Sequence, residues 1–185
     1  MPIGLLDLLR GPPGWKDELV LDEINGLPVH PLAVHAAVVM VPLAGLLGVL
    51  FAVPRLRQWA RIPLALVAVG AVPAVYVAKE SGEKLSAVLG FSSPSAESAA
   101  AKIVRQHAER ADLLFILVIA YAVATLVALA VSAKADELPA VASAALSVLL
   151  VLGAGALAVQ TFRVGESGAQ AVWNPTGEQS FTPDN

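Results

Sequence analysis

Asn25-Gly26-Leu27-Pro28-Val29-His30-Pro31-Leu32-Ala33-Val34-His35 reads as a tight turn, a proline start signal and the first step of a long apolar helix. The apolar run continues from Pro31 to Val53, about 35 Å of helix at ~1.5 Å per residue, enough to cross a bilayer core. Pro31 suits the first helical position, where its missing N–H costs nothing, so His30 falls at the N-cap and His35 in the first turns. Pro42 lies mid-span and is expected to kink the helix. Gly45 and Gly48, close to it, allow a neighbouring helix to approach.

The rest of the chain has the same character. Of its 185 residues 57% are hydrophobic and 15% charged, and the mean hydropathy is +0.72; soluble domains carry about 45–50% apolar and about 25% charged residues. A chain this short cannot bury so much apolar surface in one soluble core, and a lipid-facing exterior resolves the conflict. With no cysteine, disulfides, thiolate metal sites, iron–sulfur clusters and Cys nucleophiles are excluded. A formal charge of −3 gives no reason to expect nucleic acid as a partner. Abundant Ala and Val suggest a bacterial source with a GC-rich genome. Residues 1–24 lack a basic n-region, a long apolar core and a small-residue cleavage site, and read as an interfacial or extramembrane segment with Trp15 as an anchor.

Three further apolar runs follow. Pro54 to Arg61 is a short basic loop. The second run, Ile62 to Ala78, has Pro63 at its start and Pro73 at mid-span, and leads into Lys79-Glu80-Ser81-Gly82-Glu83-Lys84. Residues 85–97 form a Ser-rich connection. Strong helix formers from Ser98 to Arg110, with Ser95 or Ser98 as cap, predict one long helix that begins in water, enters the membrane near Leu113 and leaves near Ser132. Lys134 to Glu137 is a second short loop. The fourth run, Leu138 to Phe162, holds Gly153 and Gly155 and ends in Arg163-Val164-Gly165-Glu166-Ser167-Gly168. The expected fold is an all-α bundle of four transmembrane helices near 31–53, 62–80, 98–132 and 138–164, made of two helical hairpins. Its expected domain spans residues 25–170, with a polar tail at 171–185.

Arg55, Arg57 and Arg61 in one short loop and Lys134 in the other place those loops in the cytoplasm and both termini outside the plasma membrane. The two hairpins also echo each other. The second span ends in Glu80-Ser81-Gly82 and the fourth in Glu166-Ser167-Gly168, while His30 and His107 precede spans one and three. This pattern suggests a duplicated hairpin with both copies in the same orientation.

Pro28-Val29-His30-Pro31-Leu32-Ala33-Val34-His35 before the first span, Glu80-Ser81-Gly82 after the second and His107 before the third resemble domain-of-unknown-function family 2231, a bacterial four-span membrane family. The resemblance covers roughly residues 25–170. The family continues the His-Pro-Leu-x-Val-His run with an aromatic residue and a proline, where this chain has Ala36-Ala37. Relatives that accompany redox modules such as Rieske-type domains imply an electron-transfer setting, with respiratory or other redox membrane proteins as partners.

Topology brings the starts of spans one and three and the ends of spans two and four to one side. That side collects His30, His35, Glu80, His107 and Glu166 as candidate ligands. His30 and His35 are five residues apart, about 140° around a helix, so they do not share a face. His35 and His107 lie on spans that are diagonal in an up-down bundle, where a bis-His haem b could sit, although His35 lies within the apolar run and His107 before it. Alternatively, the histidines with Glu80 or Glu166 could hold a zinc or copper ion. If the site is real, His35, His107, Glu80 and Glu166 are expected to converge. The competing expectations are histidines that only cap helices, Glu80 paired locally with Lys84, and a cofactor-free accessory or scaffold subunit, for which Gly45, Gly48, Gly153 and Gly155 would provide helix-packing faces, including those of a homo-oligomer. No catalytic residue is proposed. Ser81 and Ser167 lack the spacing and strand context of a nucleophile elbow, no phosphate-binding loop occurs, and no ionisable group lies at mid-span to couple transport.

Overall fold

The computed structural model describes residues 23–93, 98–133 and 140–181. The turn that opens the domain is a small hairpin, β1 (Glu23–Ile24) antiparallel to β2 (Leu27–Pro28), with Glu23 opposite Pro28 and Ile24 opposite Leu27. Asn25 (φ 52°) and Gly26 (φ 77°) both sit in the left-handed region, which a two-residue turn of the mirror-image type requires and an Asn-Gly pair supplies.

Four helices follow: α1 (Val29–Ala52), α2 (Arg57–Val88), α3 (Ala99–Ala133) and α4 (Ala140–Trp173). All four are long and apolar enough to span a membrane. α1 packs on α2 and α4, and α3 packs on α2 and α4, so α1 and α3 are diagonal. Ser98 caps α3: its Oγ accepts from the Ala101 N–H at 3.2 Å and its carbonyl from Lys102. Pro42, Pro63 and Pro73 all lie within continuous helices, so Pro63 does not mark the start of α2. The N-terminal interfacial segment, apart from the hairpin, and the Lys134–Glu137 loop lie outside the described residues.

The core is built largely from small side chains. Ala44, Ala60, Ala68, Ala71 and Ala128 are buried with Val41, Leu64, Leu150 and Leu157, whereas Ile62, Leu66, Leu152 and Phe162 point outward. This distribution suits lipid, where apolar side chains gain little by turning inward and helices are held by close packing of small residues. The glycines act in two ways. Gly45 allows α1 to approach Ala154 of α4, where an added Cβ would lie 3.4 Å from the alanine Cβ. Gly48 and Gly153 instead form a slot for the buried Tyr121 ring, whose hydroxyl is 3.4 Å from the Ala44 carbonyl.

The C-terminal ends of α2 and α4 run further than the apolar runs suggest: α2 continues past residue 80 to Val88 and α4 past residue 164 to Trp173. These extensions carry the stretches that meet a histidine of the partner helix in each hairpin, His30 of α1 and His107 of α3.

Candidate functional site: a histidine pair on the bundle diagonal

His30 lies in the first turn of α1, after an N-cap at Pro28 that makes no side-chain cap bond. It is therefore part of the helix, and its ring reaches across to α2, where Nδ1 donates to the Ala78 carbonyl at 2.8 Å. His107 on α3 does the same toward α4. Its Nδ1 is 3.0 Å from the Val164 carbonyl and 3.3 Å from Ser167 Oγ. A carbonyl can only accept, so both Nδ1 atoms carry a proton, and in the neutral form of each ring Nε2 is the atom left with a lone pair. The two rings meet edge to face, centroids 6.3 Å apart and planes at 85°.

Each ring rests in the same cradle. Ser81, 2% exposed, donates back to the carbonyls of Val77 (2.6 Å) and Ala78 (3.1 Å); Ser167, fully buried, donates to those of Arg163 and Val164, both at 3.0 Å. The next residue is glycine, which leaves room for the ring. A Cβ at Gly82 would stand 2.8 Å from His30 Cε1, and one at Gly168 3.0 Å from His107 Cε1. Ala78 and Val164, Ser81 and Ser167, and Gly82 and Gly168 are each 86 residues apart, so the echo between hairpins is an equivalence of contacts. Ser81, Ser167, Gly82 and Gly168 are the site residues that the residue-by-residue reading overlooked, because it gave weight to the glutamate of each Glu-Ser-Gly triplet. The signal was the recurrence of Ser-Gly itself, 86 residues apart, at the corresponding end of each hairpin.

The expected convergence of His35, His107, Glu80 and Glu166 does not occur. His35 is exposed and its Nδ1 donates within α1 to the Pro31 carbonyl at 2.5 Å. His30 meets His107 instead, because the five-residue spacing turns His35 off the inward face and His30 alone matches the depth of His107. The glutamates flank the cradles from outside. Glu80 pairs with Lys79 at 3.7 Å; Lys79 also holds Glu83 at 2.5 Å and Asp112 at 3.4 Å, linking α2 to α3. Glu166 lies 3.8 Å from Arg110, whose guanidinium donates to the Arg163 carbonyl at 2.9 Å, linking α3 to α4. Exposed pairs of this kind contribute about 0.2–1 kcal/mol each. Beneath them the buried Gln160 donates to the Arg110 carbonyl at 2.8 Å. Among the described residues no three His, Asp or Glu side chains group in a way that could hold a metal ion. The buried side-chain oxygens left without a partner are Thr125 Oγ1 and Thr161 Oγ1; neither imidazole Nε2 is sealed off in this way.

The diagonal histidines, their Ser-Gly cradles and the four spans agree with one family description, predicted membrane protein (DUF2231), which matches residues 26–177. The chain belongs to the DUF2231 family. The match runs from the Gly26 turn past the end of α4, so both histidines, both cradles and all four helices lie inside the DUF2231 domain. No curated protein and no solved structure matches the chain.

Proposed function

We propose that this multi-pass membrane protein is redox-associated and that its His30–His107 pair takes haem b or a single transition-metal ion. One observation carries the reading. Two imidazoles from diagonal helices converge, each with its tautomer set by a backbone carbonyl and its Nε2 uncommitted. Metal-bound histidines are oriented in this way, through the nitrogen that does not ligate. The ring centroids are 6.3 Å apart, near enough for both imidazoles to serve one bound group.

The donor set favours haem over a bare ion. A zinc or copper ion asks for a fuller shell of protein ligands, and among the described residues no third ligand joins the pair. Haem asks fewer ligands of the protein, and bound here it would supply one-electron exchange at its iron. His30 and His107 would hold it; Ser81, Ser167, Gly82 and Gly168 would keep both rings in register. His35, Glu80 and Glu166 have no ligand role in this reading.

The test is the absorption spectrum and metal content of the full chain purified in detergent. A Soret band present in wild type and His35→Ala, and lost in His30→Ala and His107→Ala, is the expected result. A colourless, metal-free protein that also fails to take up haemin overturns it. The second reading, a cofactor-free accessory or scaffold subunit of a bacterial membrane complex, has its own observation. The spanning part of α4 is 11% buried against 39% for α1, so α4 leaves most of its apolar surface for lipid or a partner helix.

A further inference from the structure

At the end of the bundle opposite the histidines, Arg57 crosses the other diagonal, from α2 to α4. Its Nη1 donates to Ser143 Oγ at 2.9 Å, its Nη2 to Ser147 Oγ at 3.1 Å and its Nε to the Phe51 carbonyl at 3.3 Å, and the guanidinium carbon lies 5.5 Å from the Phe51 ring centroid. Every acceptor is neutral. Five N–H groups are available on a guanidinium, so one on each terminal nitrogen remains, held in a fixed plane. Arg61, one turn on along α2 and also half-buried, donates to the neutral Gln58 side chain at 3.2 Å, and Arg55 stands exposed in the preceding turn. Among the described residues no carboxylate pairs with any of the three. With no carboxylate paired to them among the described residues, the Arg57 fork and the neighbouring Arg55 and Arg61 suit an anion, and a planar fork suits the paired oxygens of a phosphate.

We infer that Arg57, with Arg55 and Arg61, holds the phosphodiester of an anionic phospholipid at this end of the bundle. The setting selects a lipid over a soluble anion. Trp59 (65% exposed) and Ile62 (72% exposed) turn outward beside the arginines, giving an aromatic interfacial anchor and an apolar surface for the acyl chains next to the charge. Ser143 and Ser147 act by fixing the Arg57 guanidinium at this end of the bundle. The inference is independent of any cofactor at the histidines.

The experiment is native mass spectrometry of the full chain in dodecyl maltoside with added phosphatidylglycerol or phosphatidylcholine. Wild type should retain phosphatidylglycerol selectively. Arg55→Gln/Arg61→Gln, which leaves the Arg57 contacts intact, should weaken that retention roughly fivefold per arginine, about thirtyfold in all. Arg57→Lys keeps the charge but loses the fork, and should lower phosphatidylglycerol retention several-fold with phosphatidylcholine unchanged. Equal retention of both lipids by wild type overturns the inference, as does unchanged selectivity in the double variant. If millimolar sodium phosphate alone displaces phosphatidylglycerol and raises the melting temperature equally, the site takes a soluble anion and the lipid assignment is wrong.

Discussion

Replacing Gly48 by alanine tests how the bundle is locked. The new Cβ would collide with Tyr121 Oη and stand 3.1 Å from Cζ. The ring cannot retreat, because on its other side a Cβ at Gly153 would already lie 2.8 Å from Cδ2 and 3.0 Å from Cε2; it is clamped between α1 and α4. Overpacking a filled site costs about 1–3 kcal/mol, while alanine in place of glycine returns up to ~1 kcal/mol of helix propensity. A net loss of about 1–2 kcal/mol is expected for Gly48→Ala, the difference of these two terms. Tyr121→Phe removes the atom that collides and gives up only a long 3.4 Å hydrogen bond to Ala44, about 0.5 kcal/mol. In the double variant the closest ring atom is Cζ, at 3.1 Å, a far milder contact. The double variant should therefore be more stable than the sum of the singles by about 1 kcal/mol, whereas independent sites add within about 0.3–0.5 kcal/mol. The assay is reversible unfolding in mixed dodecyl maltoside and dodecyl sulfate micelles followed by circular dichroism. Gly155→Ala, with nothing within 4 Å of its added Cβ, is the control and should be neutral or slightly stabilising. Additive energies would refute the slot.

Gly82→Ala should push the His30 ring off the Ala78 carbonyl, costing about 0.5–1.5 kcal/mol for the lost hydrogen bond. Imidazole nitrogen NMR should then show loss of the fixed Nδ1–H tautomer at His30, and an unchanged spectrum would remove the cradle's role. Thr125→Val replaces a fully buried hydroxyl that has no partner; the variant should unfold at an equal or higher temperature, by up to ~1 kcal/mol of stability, and a clear loss would mean that the hydroxyl is bonded. The chain has no cysteine, so Gln58→Cys gives a single label site. With the arginine-rich loop cytoplasmic, a membrane-impermeant maleimide should react in intact cells only after permeabilisation, and labelling without it would reverse the topology.

The amino-acid sequence by itself determined the four spans, because run length and charge depletion are set against a bilayer of known thickness and need no partner. It also determined local devices that close within a few residues, such as the Asn25-Gly26 turn and a serine cap on α3, left between Ser95 and Ser98 until the structure showed Ser98. From the five-residue spacing it ruled that His30 and His35 could not face the same way. It could not say which of them looks inward. Periodicity places a side chain around its own helix, while the face that meets a neighbour depends on how each helix is rotated in the bundle. Only the tertiary structure decided that rotation, through the seat of Gly45 on Ala154 and the Tyr121 ring between Gly48 and Gly153. The same rotation turned Ser81-Gly82 and Ser167-Gly168 toward the histidines and left Glu80 and Glu166 to the outer ion pairs. In each Glu-Ser-Gly triplet the conspicuous charge faces outward, and the small residues, whose value lies in the room they leave, form the site.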